Sequence, residues 1–248
     1  MMNNAVLNEL KTFDIHFTHE HAKEIAISDL LDEEKCRSFS EKQMVEMKAP
    51  NLVVTASMIS KRYAHLVVSS TLYSMIEFNC ALNLPVTACA LSKERKLCIQ
   101  ADLCNWQMVE ALGREEWREN VLHGLFSGHI TPVLESLRKT TRLPSSIMWE
   151  NVAIRINSIY RKMLANNLDP VTRERVYSDF NFLKNASGEM FGLQDNPIQQ
   201  YLKIGEALTL NPNRKTCCMY YKLEKDVEGI GYCSNCPLKK KQIEKKKL

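Results

Sequence analysis

Cys217, Cys218, Cys233 and Cys236 lie close together near the C-terminal end of the chain, in a C-C-x14-C-x2-C arrangement followed at once by Pro237 and a lysine run. Four thiolates brought together hold a metal centre, and the metal decides what the segment does. A tetrahedral zinc makes it a structural clip. Two irons bridged by sulfides make it a one-electron carrier. Cys233 and Cys236 are three apart, so a tight turn aims both sulfurs at one metal. Cys217 and Cys218 are adjacent, and neighbouring side chains of an extended strand point to opposite faces. That pair therefore needs an irregular backbone to serve one centre. It fits neither the common zinc spacings, which leave two or more residues between paired ligands, nor the common ferredoxin spacings. Spacing alone leaves zinc and iron-sulfur open, beside the plainer reading of free thiols in a basic tail.

The elements that must position these thiols are mostly helical. Apolar residues recur at Met58, Ile59, Tyr63, Leu66, Val67, Tyr73 and Ile76, the face of one long helix or a broken pair over Leu52 to Cys80. Leu84 to Leu91 and Leu97 to Leu103 read as two strands of a hairpin joined by the charged loop Ser92 to Lys96. Trp117, Val121, Leu122, Leu125 and Phe126 form a helical stripe that Gly128 is expected to end. Thr131-Pro132 reads as a new helix start. Pro144-Ser145 opens another helix, and Asp169-Pro170 and Asn196-Pro197 open two more, near Val171 to Leu183 and Ile198 to Ala207. Before Lys48 the pattern is mixed, with a helix expected over His19 to Leu31 and Asp32 to Lys35 as its solvated end. The expected fold class is α+β: a predominantly helical body with a small β-hairpin or sheet and a C-terminal cysteine-ligated metal module. Residues 1–210 are expected to form the body, 211–238 the module and 239–248 a basic tail.

Composition narrows the function. The chain has 248 residues and a formal charge of +4, enough for one large domain or a domain with an appendage. Six of the last ten residues are lysines (Lys239, Lys240, Lys241, Lys245, Lys246, Lys247), the pattern of a solvated tail that can steer an acidic redox partner or an anionic substrate. No aromatic residue interleaves with them, so no nucleic-acid partner is expected. There is no secretory leader pattern. The most apolar segment, Tyr63 to Val86, contains His65 and Glu77, which argues against a transmembrane segment. Nine cysteines in such a chain suggest a reducing, cytoplasmic location. Cys80, Cys89, Cys98 and Cys104 sit in apolar contexts as small core residues, while Cys36 lies among charges and is expected to be exposed. His16, His19 and His21 read as a solvated turn and not as a metal site. No glycine-rich nucleotide loop is present.

The strings Arg214-Lys215-Thr216-Cys217-Cys218-Met219-Tyr220-Tyr221 and Tyr232-Cys233-Ser234-Asn235-Cys236-Pro237-Leu238 resemble the C-terminal [2Fe-2S] segment of the FhuF-like ferric siderophore reductases, whose signature is C-C-x10-C-x2-C. The chain departs by four extra residues, in the stretch Glu224 to Gly231, and lengthening a loop costs little closure entropy. Ser60-Lys61-Arg62-Tyr63-Ala64-His65, Gly128-His129-Ile130-Thr131-Pro132-Val133 and Met148-Trp149-Glu150-Asn151-Val152-Ala153 are similar to the family's helical segments and to the C-terminal domain of siderophore synthetases. The resemblance spans residues from about 50 to about 240.

This resemblance implies a one-electron reductase of ferric siderophores that releases ferrous iron in the cytoplasm, with a [2Fe-2S] cluster on Cys217, Cys218, Cys233 and Cys236. Hard oxygen donors hold ferric iron far more strongly than ferrous iron, so one electron frees the metal without destroying the chelator. No catalytic residue beyond the cluster is required. Electrons would come from a separate ferredoxin, flavodoxin or flavoprotein. Arg214 and Lys215 would raise the potential by their charge, against the plainer reading of solvated bases. Lys61, Arg62, Trp149, Asn151 and Arg155 are the candidate substrate contacts. The alternatives are a zinc-stabilised helical binding module without redox activity, or an iron-sulfur sensor that takes no siderophore.

Overall fold

The computed structural model describes residues 4–17, 25–109, 113–203, 213–223 and 231–239. Helix α1 (Asn4–Thr12) leads into strand β1 (Ile15–Phe17), and β2 (Ile25–Ala26) runs into a 3-10 helix, Ile27–Leu31. The helix expected over His19 to Leu31 is thus a short strand and a 3-10 turn where it is described; its first part, with His19 and His21, lies outside the described residues. Asp32 to Lys35 begins a helix where the sequence reading had one end. The Asp32 carboxylate accepts the Lys35 N–H at 2.9 Å and caps α2 (Glu33–Glu46), where acidic residues also suit the helix dipole. Cys36 is fully buried on the inner face of α2, contrary to expectation, because the charges beside it in sequence lie on the other faces of the helix.

Asn51 caps α3 (Leu52–Ala64) by accepting the Val54 N–H at 3.1 Å. The chain then passes without a break through a π-helical turn, His65–Ser69, into α4 (Ser70–Phe78). Asn79 ends α4 in the left-handed conformation, which asparagine tolerates. β3 (Cys80–Leu82) follows. The expected hairpin forms, but shorter, as β4 (Cys89–Leu91) and β5 (Leu97–Ile99), antiparallel with Ala90 opposite Cys98, while Val86–Ala88 and Ala101–Leu103 within the expected strands are 3-10 turns. β1 joins the outer side of β5 in parallel and β2 the outer side of β4, giving the order β1-β5-β4-β2. β6 (Trp106–Met108) pairs with β3 in a separate two-stranded sheet. Cys80, Cys89, Cys98 and Cys104 are buried, as expected of small core residues.

The stripe beginning at Trp117 forms α5 (Gly113–Leu125), but Gly128 does not end it. A second π turn, Phe126–Ile130, carries the helix into α6 (Thr131–Thr141). Thr131 is helical here and caps nothing; its hydroxyl donates to the Phe191 carbonyl at 2.7 Å. Pro132 has no N–H to give the turn below it, and its ring crowds the carbonyl four residues back. A widened π turn immediately before it relieves both problems, so the proline is absorbed into a continuous helix. α7 (Ser145–Ala165) follows Pro144. α8 (Pro170–Asn185) is capped by Asp169, which accepts the Val171 and Thr172 N–H groups at 3.0 Å each. Asn196 caps in the same way, accepting from Ile198 and Gln199, but opens only the 3-10 turn Gln199–Tyr201. The remainder of that expected helix, from residue 204, lies outside the described residues.

α3 packs side by side with α7 at the centre, flanked by α2 and α6. α5 is locked to α8 by a buried ion cluster. Arg114 grips both carboxylate oxygens of Asp179 at 2.6 Å and Arg118 reaches one of them at 3.3 Å. His129, fully buried in the second π turn, bridges α3 to the sheet side through the Tyr63 hydroxyl and the Leu84 carbonyl. Among the described residues no helix is long and apolar enough to cross a membrane.

Candidate metal centre

The centre is assembled by α3 and α7, which hold the cysteine segment from below. Glu150 projects from α7 and is almost fully buried at 2% exposure. Its carboxylate accepts the Lys215 N–H at 2.5 Å, the Thr216 N–H at 2.8 Å and the Thr216 hydroxyl. The Arg214 Nε lies 3.4 Å from the same carboxylate. From α3, the Ser57 hydroxyl donates to the Cys218 carbonyl at 2.9 Å. Asn151, fully buried on α7, donates its amide to the Ser57 carbonyl at 3.1 Å and to the Ser60 hydroxyl at 2.9 Å. The two helices are therefore fastened together where the cysteine segment sits. A buried carboxylate is tolerated only with such a complement of donors.

The two halves of the motif meet across this platform. The Arg214 N–H donates to the Asn235 carbonyl at 3.0 Å, and the Cys236 N–H closes a turn on the Cys233 carbonyl at 3.0 Å. Cys218 and Cys233 bring their sulfurs to 3.5 Å, and Cys217 has Cys236 as its thiol neighbour. Met219 solves the problem of the adjacent pair. It takes the left-handed conformation, φ 60°, which is uncommon for a residue with a side chain. The chain then folds back so that the Met219 N–H points at the Cys217 sulfur, 3.3 Å away. The Tyr220 N–H lies toward the Cys218 sulfur. Cys218 and Cys236 are buried, and Cys217 and Cys233 are half-buried.

Electrostatics favour negative sulfur at Cys218. The Cys218 thiol is pulled down to about 5, first by the hydrogen bond from Cys233 and then by Lys61, the Tyr220 N–H and Arg214, against burial. The Cys233 thiol is pushed up by giving that hydrogen bond, so the pair holds one proton between them. Burial raises Cys217, while the Met219 N–H works in the other direction. Among the described residues no three His, Cys, Asp or Glu side chains gather around one ion; the four thiols meet two by two. Buried sulfur pairs, backbone N–H groups aimed at sulfur and nearby cations form a donor set that suits a thiolate-held iron-sulfur group.

The candidate substrate contacts separate into two groups. Trp149 is buried edge-on against Phe191, with ring centroids 5.9 Å apart, and Asn151 is the interhelical fastener already described. Both are part of the packed interior, because α7 is buried around its whole circumference from Met148 to Ala153. Lys61, Arg62 and Arg155 are half-buried. Lys61 stands over the Tyr220 ring at 5.0 Å. Arg62 donates to Asp14 at 2.7 Å and to the Arg95 carbonyl at 3.0 Å. The guanidinium of Arg155 is disfavoured first by burial, then by Arg214 and Arg62, with Cys218 as the compensating charge. His65, at the start of the first π turn, is pushed down to about 4 by burial and by the charges of Arg155 and Arg62. Positive charge therefore accumulates beside Cys218. Arg214 is not the solvated base of the plainer reading, since it is buried against Glu150. Lys215 points outward, to the Gln200 side chain at 3.3 Å and over the Tyr201 ring. Of the lysine run, only Lys239 falls among the described residues.

Glu150 and Ser57 are functional positions that the sequence reading missed. The available signal was a carboxylate set beside Trp149 within the mostly apolar run Ile147 to Ile154 of α7. Its partner segment, sixty-five residues away, could not be inferred from that pattern.

Residues 108–201 match the family model described as ferric iron reductase FhuF-like transporter, and residues 214–238 match the FhuF 2Fe-2S C-terminal domain. No curated protein matches the chain. The first match runs from the last residue of β6 to the 3-10 turn Gln199–Tyr201 and includes Glu150. The second covers both cysteine pairs and begins at Arg214.

Proposed function

For a chain that belongs to the FhuF-like ferric iron reductase family and carries its [2Fe-2S] domain, we propose one-electron reduction of ferric siderophores in the cytoplasm, with release of ferrous iron. The observation that supports this reading is the meeting of two separate cysteine turns, Cys218 with Cys233 at 3.5 Å and Cys217 with Cys236, where Glu150 and Ser57 clamp the first turn. These four residues would hold the cluster. When bound, a [2Fe-2S] cluster supplies electrons one at a time.

The protein's own groups do the rest. Glu150 and Ser57 fix the backbone on either side of Cys217. The N–H groups of Met219 and Tyr220 stabilise negative charge on the two adjacent sulfurs. Lys61, with Arg62 and Arg155 behind it, attracts an anionic ferric chelate toward the Cys218 side. One electron enters from a separate ferredoxin, flavodoxin or flavoprotein and one leaves to the ferric ion, which becomes ferrous. No bond within the chelator breaks. The loosely held ferrous ion then leaves its oxygen donors.

The test is stopped-flow mixing of anaerobically reduced protein with ferric hydroxamate and ferric citrate. Reoxidation of the visible spectrum, with one ferrous ion captured by ferrozine for each electron lost, is the expected result. Protein that keeps its reduced spectrum in the presence of every ferric chelate would remove the reductase assignment while leaving the cluster in place.

A further inference from the structure

Among the described residues, two buried N–H donors near the cysteines have no acceptor. One is Nη2 of Arg214 and the other is Nε of Arg155. A buried donor without a partner costs roughly 1–3 kcal/mol, more when the group is charged. Two of them at one place call for an explanation. Arg214 is only 4% exposed, so bulk water does not satisfy it. Its position is also fixed. The backbone N–H holds Asn235, next to Cys236, and Nε donates to the Thr216 carbonyl at 3.1 Å, next to Cys217. Arg214 is thereby tied to both cysteine pairs, its backbone to the second and its guanidinium to the first. Arg155 lies on α7 one turn after Asn151, on the same helix face, within electrostatic reach of Cys218. Among the described residues the charges around it are Arg214, Arg62 and Cys218, with no carboxylate. Glu150 offsets Arg214 but leaves Arg155 unmatched.

We propose that Arg155 and Arg214 are potential-setting residues, with Arg155 Nε and Arg214 Nη2 reserved as hydrogen-bond donors to the sulfur atoms of the [2Fe-2S] group. The proposal rests on the cysteine ligation proposed above. A guanidinium suits the role because it is permanently charged and presents its donors in a rigid plane. Charge-assisted hydrogen bonds are about twice as strong as neutral ones. Reduction adds one electron to the group and no proton to the chain, so the reduced state carries one more negative charge. Fixed positive donors favour that state and raise the potential. The electron itself comes from the separate ferredoxin, flavodoxin or flavoprotein.

The experiment is a redox titration of purified holoprotein, followed by electron paramagnetic resonance of the reduced state. Arg155→Gln is expected to keep the visible spectrum and lower the ratio of reduced to oxidised protein about tenfold at a fixed poise, equivalent to about 59 mV for a one-electron couple. Arg155→Lys, which retains the charge, is expected to recover most of that shift. Arg214→Gln is expected to shift the ratio in the same direction, with lower cluster occupancy because its Thr216 contact is also weakened. A titration curve for Arg155→Gln that overlays the wild type would overturn the proposal for that residue. Wild-type protein grown on nitrogen-15-labelled arginine supplies a check that needs no variant. A hyperfine coupling from arginine nitrogen is expected in the reduced state, and its absence would overturn the donor role. If the wild-type protein lacks a two-iron signal altogether, it is the cysteine-ligation reading that fails.

Discussion

Glu150 holds Thr216 by two hydrogen bonds to one carboxylate oxygen, from the backbone N–H at 2.8 Å and from the side-chain hydroxyl. Thr216 immediately precedes the adjacent cysteine pair, so this contact fixes where the pair begins. Glu150→Ala leaves the N–H groups of Lys215 and Thr216 without their acceptor and Arg214 without its counter-charge. The loss in docking free energy of the segment is on the order of 3 kcal/mol. The expected outcome is a folded helical body with several-fold less iron per chain and faster proteolytic cleavage within residues 213–239. Iron analysis and limited proteolysis on the same sample check both parts. Undiminished iron content would mean that the clamp is dispensable.

Cys233→Ser removes the thiol that meets Cys218 at 3.5 Å. The visible absorption is expected to vanish while far-UV circular dichroism stays within a few per cent of the wild type. The apolar faces of α3 and α7 are buried against other helices, and that packing does not depend on the cysteines. Exhaustive chelation of the wild-type protein should give the same pair of results. Collapse of the helical signal in either experiment would show that body and module fold as one unit.

The parts of the fold that were legible in the sequence are those set by local chemistry. The hairpin formed where a charged loop separates two apolar runs, and Asp169-Pro170 opened α8 because a carboxylate cap and a proline suit a first turn. The cysteine segment was legible through its resemblance to the FhuF-like [2Fe-2S] segment, which the match over residues 214–238 supports; spacing alone left zinc, iron-sulfur and free thiols open. Continuity was not legible. Gly128 and Pro132 read as a stop and a start, yet a π turn joins α5 to α6. The backbone hydrogen-bond pattern that permits this leaves no trace in residue type. Trp149 and Asn151 had the right chemistry for substrate contact but sit in the interior, because side-chain direction on a helix depends on which neighbours pack around it. Cys36 failed in the opposite sense, buried although flanked by charges. Glu150 was the costliest omission: its role depends on contacts far away in sequence, which periodicity cannot report.

Acid sensitivity is expected from His129. Burial holds its pKa down to about 4, against an ordinary value of 6.5. The folded chain keeps His129 neutral between those values, whereas the unfolded chain binds a proton there. Stability is therefore complete above pH 6.5 and falls as pH drops toward 4. Between pH 7.5 and pH 5 the loss from this residue is about 2 kcal/mol. His65 adds a smaller loss of the same sign, reduced by its partial exposure. Urea titrations at the two pH values check this. His129→Gln can still bond the Leu84 carbonyl, so it should be less stable than wild type at pH 7.5 yet lose less on acidification. An equal pH slope in both proteins would assign the sensitivity elsewhere.

Lys61 separates two modes of substrate approach. Arg62 is engaged by Asp14 and the Arg95 carbonyl. The Lys61 ammonium, by contrast, rests over an aromatic face at 5.0 Å and keeps its charge available to a ligand arriving near Cys218. Lys61→Glu should slow reoxidation of the reduced protein by ferric citrate, an anionic chelate, about tenfold at low ionic strength. The difference should shrink as salt rises, since the Debye length falls from about 30 Å at 0.01 M to about 8 Å at 0.15 M. A ferric trihydroxamate without net charge should react at nearly the wild-type rate throughout. The comparison is internal, because both chelates draw on the same reduced protein and any change in cluster potential affects both. Equal slowing with the two chelates at every salt concentration would show that Lys61 acts on the cluster through Tyr220, and not on the approach of substrate.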